Sequence, residues 1–438
     1  MICPSCKAKN DDGAEACFTC GRALAALTQG AIIANRYEVE KFLGRGGMGM
    51  VYRAHDRMLD ETVAIKVLRA ELTGTTEASQ RFLSEIKLAR RVSHRNVCRI
   101  HEYGEDGTFR YISMEFVEGT DLKQLLRDTG LSIDEAFDAC AQIADGLQAI
   151  HDVGIVHRDL KTPNIMRDGR GVVRLMDFGI AKIEGSGTSG GLTTTGQIMG
   201  TPEYMSPEQC LGERIDNRSD LYAAGIVIYE MFTGQVPFKG DTPVATLFKH
   251  IQDPIPLDGS PIGARVPTSL VPVIRRALAK NRAERYASSS EMGVALREAH
   301  ARFKSGPPAD QVATGQVPAA PPTPTLPHGE RRLDTRLDIF VNFIIRRVGT
   351  LGTVLSEERT IAENMGRGGA RVMTTMSSLV QGDVVTLEEV GGPFMTRAEV
   401  RHSYLGKDNI RRLNLRFLDR PAPDHLVHVD HVGDAHRR

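Results

Sequence analysis

Apolar and polar positions alternate first in short runs. Tyr37 to Leu43, Met50 to His55 and Thr62 to Leu68 are β-rich and separated by glycine or polar turns, a pattern that predicts three strands. A helix is expected over 77–92, where Phe82, Ile86, Ala89 and Val92 share one face. Two more strands are expected at 97–103 and 109–117. The period then changes. Ser132 followed by Glu135 is a capping box, after which Ile133, Phe137, Cys140, Ile143, Leu147 and Ile150 form one apolar stripe, and Gly154 marks the stop. Leu221 to Phe232 and 269–279 predict further helices. The pattern describes a small β-rich lobe followed by a larger helical lobe, with the junction near Glu115 to Gly119.

Outside this segment, 36–303, the composition changes. Residues 1–25 hold four of the seven cysteines. The stretch 304–330 is proline-rich and lacks aromatic residues, so it predicts a semi-extended linker. Strand-like alternation returns over 331–420, and 421–438 is a polar tail with several histidines. No repeat of solenoid length is present.

Lys plus Arg equals Asp plus Glu at 55 each, which removes any global basic field of the kind that marks nucleic-acid binding. The apolar stretch Ile339 to Leu355 contains Arg346 and Arg347 and is too short and too charged to span a bilayer. The start of the chain lacks an export pattern, and seven cysteines without one suit a reducing compartment, so a cytoplasmic protein without disulfides is expected.

Four clusters carry the chemistry. Gly44 to Val51 is a glycine-rich turn between strands, through which a backbone can approach phosphates closely. Lys66 lies inside the apolar run Val63-Ala64-Ile65, and a buried ammonium needs a carboxylate partner. Glu85, flanked by Phe82, Leu83 and Ile86 on the 77–92 helix, is the expected one. His157-Arg158-Asp159-Leu160-Lys161-Thr162-Pro163-Asn164 and Asp177-Phe178-Gly179 supply a proton acceptor and oxygen ligands for Mg²⁺.

These motifs, in this order, resemble the bacterial, eukaryotic-like (Hanks-type) serine/threonine protein kinases over about residues 36–303. The resemblance implies a bilobal protein-kinase fold that transfers the γ-phosphate of ATP to Ser/Thr hydroxyls of protein substrates. In it Gly44, Gly46 and Gly49 would cover the phosphates and Val51 and Ala64 would line the adenine pocket. Met114 would sit at the back of that pocket, and the backbone of Glu115 and Val117 would hydrogen-bond the base. Lys66 would bind the α/β-phosphates and pair with Glu85. Asp159 would be the catalytic base, Lys161 would steady the γ-phosphate, and Asn164 and Asp177 would hold Mg²⁺. Glu208, in a Ser206-Pro207-Glu208 variant of the family's Ala-Pro-Glu, would pair with Arg285, and Asp220 would brace the catalytic loop. Thr193 and Thr195 resemble autophosphorylation sites, since a phosphate there would neutralise Arg158. The resemblance also admits a kinase-domain dimer.

Cys3, Cys6, Cys17 and Cys20 form two CxxC turns suited to tetrahedral Zn²⁺, a small zinc ribbon. Cys98, Cys140 and Cys210 are expected in the core. The C-terminal segment is similar to the PilZ domain, a small β-barrel that binds cyclic di-GMP. Arg332 and Arg336 match its paired arginines, Asn364 and Gly369 match its second motif, and Gly366 stands where the family has Ser. The expected fold class is therefore multidomain α+β. Rival readings are a pseudokinase scaffold, against which Lys66, Glu85, Asp159, Asn164 and Asp177 all speak, and a cyclic di-GMP receptor acting by protein–protein binding.

Overall fold

Strand β4, Glu61–Leu68, shows how the first sheet is made. Val63, Ile65 and Val67 point to one face and join Tyr37, Val39, Tyr52 and Ala54 in an apolar cluster, while Ala64 and Lys66 point to the other. Each fully buried aliphatic side chain of this kind contributes about 1.5–3 kcal/mol. The computed structural model describes residues 8, 19, 27–46, 49–68, 76–107, 109–178, 201–306, 341–348, 353–406, 408–423 and 426. Cys3, Cys6, Cys17, Cys20, Thr193, Thr195, Arg332 and Arg336 lie outside them. The chain divides into two units. The first takes in the chain up to Leu122 with Asp145–Arg158 and Pro163–Glu184, and the second Lys123–Ala144, Asp159–Thr162 and the remainder.

In the first unit β1 (Ile32–Ile33), β2 (Tyr37–Gly46), β3 (Gly49–Asp56), β4, β5 (Ile100–Asp106) and β6 (Phe109–Glu115) form an antiparallel sheet in the order β1-β2-β3-β4-β6-β5. Helix α1 spans Thr76–Ala89. Gly49 has φ +154°, and a Cβ there would lie 1.9 Å from the Val67 carbonyl oxygen, so only glycine lets β3 turn in against β4. The Leu27 amide donates to Tyr52 Oη at 3.0 Å, which straps the residues before β1 onto the sheet. A second small sheet joins β7 (Gly119–Asp121), β8 (Ile165–Asp168) and β9 (Val173–Leu175).

Helices α2 (Leu122–Asp128) and α3 (Ile133–Asp152) follow β7 along the chain. The expected capping box starts α3: Ser132 N donates to Glu135 Oε2 at 2.9 Å, and Ser132 Oγ accepts from Glu135 N at 3.3 Å. Gly154 ends it at φ +79°, its amide donating to the His151 carbonyl.

The second unit holds α4 (Pro207–Cys210), α5 (Asn217–Thr233), α6 (Pro243–Gln252), α7 (Val271–Ala277) and α8 (Ser289–Ser305). Helix α5 is buried from Ser219 to Thr233 and is its central rod. The same unit contains a closed barrel of β10 (Val341–Val348), β11 (Val354–Gly366), β12 (Gly369–Thr374), β13 (Val384–Glu389), β14 (Met395–Leu405) and β15 (Arg411–Phe417), ordered β10-β11-β12-β15-β14-β13. Phe343, Ile345, Val372, Leu387, Val400 and Leu413 fill its interior. Closure leaves no free sheet edge. Cys98, Cys140 and Cys210 are buried as expected, and burial pushes the Cys98 and Cys140 thiols upward, away from reactivity. Among the described residues no helix is long and apolar enough to cross a membrane.

Candidate active site

Lys66 is 3% exposed, and its register opposite Val51 on β3 and Ile112 on β6 fixes it within the sheet. A buried ammonium is costly unless paired, and the partner here is Asp177: Nζ to Oδ1 is 2.6 Å. This corrects the expected Lys66–Glu85 pair. Glu85 lies on α1 as predicted, yet its Oε1 faces Arg158 Nη1 at 3.5 Å, and its Oε2 is buried without a hydrogen-bond partner. Two cations and two carboxylates can be matched in two ways, and the short contact to Asp177 wins the ammonium. Burial raises the Glu85 carboxyl above its ordinary range, only partly offset by Arg158.

Asn164 and Asp177 are held together by main chain. The Met176 amide donates to the Asn164 carbonyl at 2.9 Å, and β8 and β9 pair Ile165 with Leu175. Asp177 has φ +56° and Arg158 φ +68°, both uncommon for residues with a Cβ and the sort of strain that functional loops retain. A carboxylate and an amide oxygen on adjoining strand ends are hard donors that fit Mg²⁺. Ala64 and Met114 are buried and in register on β4 and β6, and Val51 is partly exposed on β3. Glu115 ends β6, and its amide donates to the Arg99 carbonyl at 2.9 Å; Val117 is buried just beyond. Gly44 and Gly46 lie on β2, with Gly46 opposite Gly49.

In the second unit Lys161 Nζ lies 3.0 Å from Asp159 Oδ2 and also donates to Thr201 Oγ1 at 3.0 Å. Arg285 and Glu208 meet through two hydrogen bonds, 2.8 and 2.9 Å, as expected. Burial pushes the Glu208 carboxyl up, but Arg285 and Ser219 outweigh it and the net shift is downward. Asp220 is buried in the first turn of α5.

One network escaped the sequence reading. Glu230, buried on α5, accepts from Tyr204 Oη at 2.5 Å and Thr162 Oγ1 at 3.0 Å, and pairs with Lys123 Nζ at 2.5 Å. It ties the Asp159–Thr162 loop to the segment after Thr201. The available signal was an acid inside the otherwise apolar run Leu221 to Phe232.

A buried strand lysine set on a loop carboxylate, and an aspartate–lysine pair on a second loop, are groups suited to positioning phosphates and a hydroxyl. Residues 37–293, more than half of the chain, match the protein kinase domain family, and the chain belongs to it. It is 39% identical over 301 residues to the probable serine/threonine-protein kinase PknB of Corynebacterium glutamicum, covering 67% of this chain and 46% of that protein. It is 41% identical over 277 residues to the serine/threonine-protein kinase pkn3 of Myxococcus xanthus, covering 61% and 50%. The chain thus spans half or less of the length of these curated relatives. The crystal structure of the PknI kinase domain of Mycobacterium tuberculosis superimposes with a TM-score of 0.51 at 27% identity, covering 63% of this chain and 100% of that domain.

Proposed function

We propose that the chain is a serine/threonine protein kinase that transfers the γ-phosphate of ATP to hydroxyls of protein substrates. The observation that carries this is the Asp159–Lys161–Thr201 chain of contacts, within a family whose compared members are named serine/threonine kinases. Asp159 accepts the proton of the attacking hydroxyl, and Lys161 holds negative charge beside it. Lys66 binds the nucleotide phosphates; Asn164 and Asp177 would hold Mg²⁺, and with Asp177 so engaged Glu85 would be the carboxylate left to the Lys66 ammonium. Mg²⁺, when bound, neutralises phosphate charge. The test is incubation with Mg-ATP followed by phosphoamino-acid analysis. Phosphoserine and phosphothreonine are expected, and phosphotyrosine alone contradicts the assignment.

Two finer readings accompany it. Cys3, Cys6, Cys17 and Cys20 bind one structural zinc; metal analysis is expected to find it, and to lose it in Cys3→Ser/Cys6→Ser. The closed six-stranded barrel supports a PilZ-like domain in which Arg332, Arg336 and Asn364 contact cyclic di-GMP. Calorimetry is expected to show binding that Arg332→Ala removes, and a flat wild-type titration ends that reading. A cytoplasmic location accords with both.

A further inference from the structure

Residues of a barrel strand alternate between interior and exterior, so three buried in succession mean that something covers the outside. Thr360-Ile361-Ala362 on β11 and Val372-Met373-Thr374 on β12 are such runs. Ala362 and Val372 face the barrel core. Ile361 and Met373, with Ile410 just before β15, instead join a separate apolar cluster with Met205, Val244, Leu247 and Phe248 of the kinase domain. Three of those partners, Val244, Leu247 and Phe248, lie on α6, and Met205 lies between Thr201 and α4.

Polar contacts ring this cluster. Arg359 on β11 pairs with Glu213 just beyond α4. Gln252 Nε2 at the end of α6 donates to the Arg359 carbonyl at 2.9 Å, and Lys249 Nζ reaches the Asp408 carbonyl at 3.4 Å. A buried apolar centre with a polar rim is the anatomy of a protein–protein interface, here within one chain. Its kinase side is continuous with catalysis, because the segment that carries Met205 also carries Thr201, which hydrogen-bonds the Lys161 that pairs with Asp159.

We propose that the outer face of β11 and β12 is a docking surface whose partner is the α6 face of this chain's own kinase domain. While docked, the barrel denies that face to incoming protein substrates. A protein held on α6 would lie against the segment leading to Thr201, so the barrel and a large substrate compete for the same wall. A short peptide needs only the groups around Asp159 and escapes the competition. The consequence for catalysis rests on the kinase reading, whereas the docking itself does not.

The test uses the full chain and Ile361→Glu, which places a carboxylate in the apolar centre while leaving the barrel interior alone. Hydrogen exchange is read first, since it is independent of activity. Amides of α6 and of Met205–Leu211 are expected to exchange about tenfold faster or more, with those of Leu413–Leu415 unchanged. Unchanged exchange in α6 overturns the docking. Transfer from Mg-ATP to full-length Asp159→Asn chain is then expected to rise about fivefold, and transfer to a peptide of residues 188–200 to stay within about twofold. A fall in transfer to the full-length acceptor, or an equal rise on both acceptors, overturns the competition. Should Ile361→Glu fail to fold, Arg359→Glu is expected to reproduce the faster exchange, and Arg359→Glu/Glu213→Arg to reverse it. Failure of that reversal equally overturns the docking.

Discussion

Glu208 and Glu85 each face a guanidinium group, and the two pairs are built for different ends. Glu208 and Arg285 are 4% and 0% exposed, joined by two hydrogen bonds, with Ser219 donating to the same carboxylate and the Ala279, Lys280 and Arg218 carbonyls accepting from the guanidinium. Every charge there is answered by fixed groups, so the pair has one arrangement. Glu85 and Arg158 are 32% and 27% exposed, meet at 3.5 Å, and leave Glu85 Oε2 buried without a hydrogen bond. A pair with spare capacity and poor geometry can be exchanged for another. The first is a rivet and the second a switchable contact.

The contrast is open to attack at its strongest point first. Glu208→Ala strands a buried guanidinium and is expected to destabilise the domain by about 3–5 kcal/mol in denaturant unfolding. Loss of less than about 1 kcal/mol would mean that the pair is no rivet. Glu85→Gln is expected to leave thermal stability unchanged or raised, because burial disfavours that carboxylate, while misplacing Lys66 lowers kcat by about 10²-fold. An equal fall in stability would erase the distinction between the two pairs.

A smaller, graded effect comes from His250 on α6. Burial, aided by Lys280, pushes its pKa down to about 3 from an ordinary value near 6.5. Below pH 6.5 the unfolded chain therefore takes up a proton that the folded chain refuses. Stability falls as pH drops towards 3, by about 1 kcal/mol per unit from this residue. His250→Gln, which retains a partner for Tyr222 Oη, is expected to flatten that slope in unfolding curves taken at pH 7, 6 and 5.

What the sequence revealed follows the same division. The strands, the Ser132–Glu135 cap and the Glu208–Arg285 pair were legible, because periodicity, local hydrogen bonding and motif order each determine one outcome. Lys66 was legible as a buried cation, but its partner was not. Choosing between Glu85 and Asp177 depends on where α1 and the end of β9 stand in three dimensions, which spacing along the chain does not encode. The network at Glu230 was hidden because its members lie far apart in sequence. The covered face of the barrel left a trace in Thr360-Ile361-Ala362, a break in strand alternation that reads as ordinary core until the barrel closes.

The central claim is that Asp159 acts as the proton acceptor in phosphoryl transfer, and it is tested most directly by comparing wild-type chain with Asp159→Asn for both Mg-ATP binding and transfer of labelled γ-phosphate to protein. The account predicts similar nucleotide affinity and a transfer rate lower by about 10²–10⁴-fold in the variant. Transfer at the wild-type rate by Asp159→Asn, or no transfer and no nucleotide binding by the wild type, would contradict it.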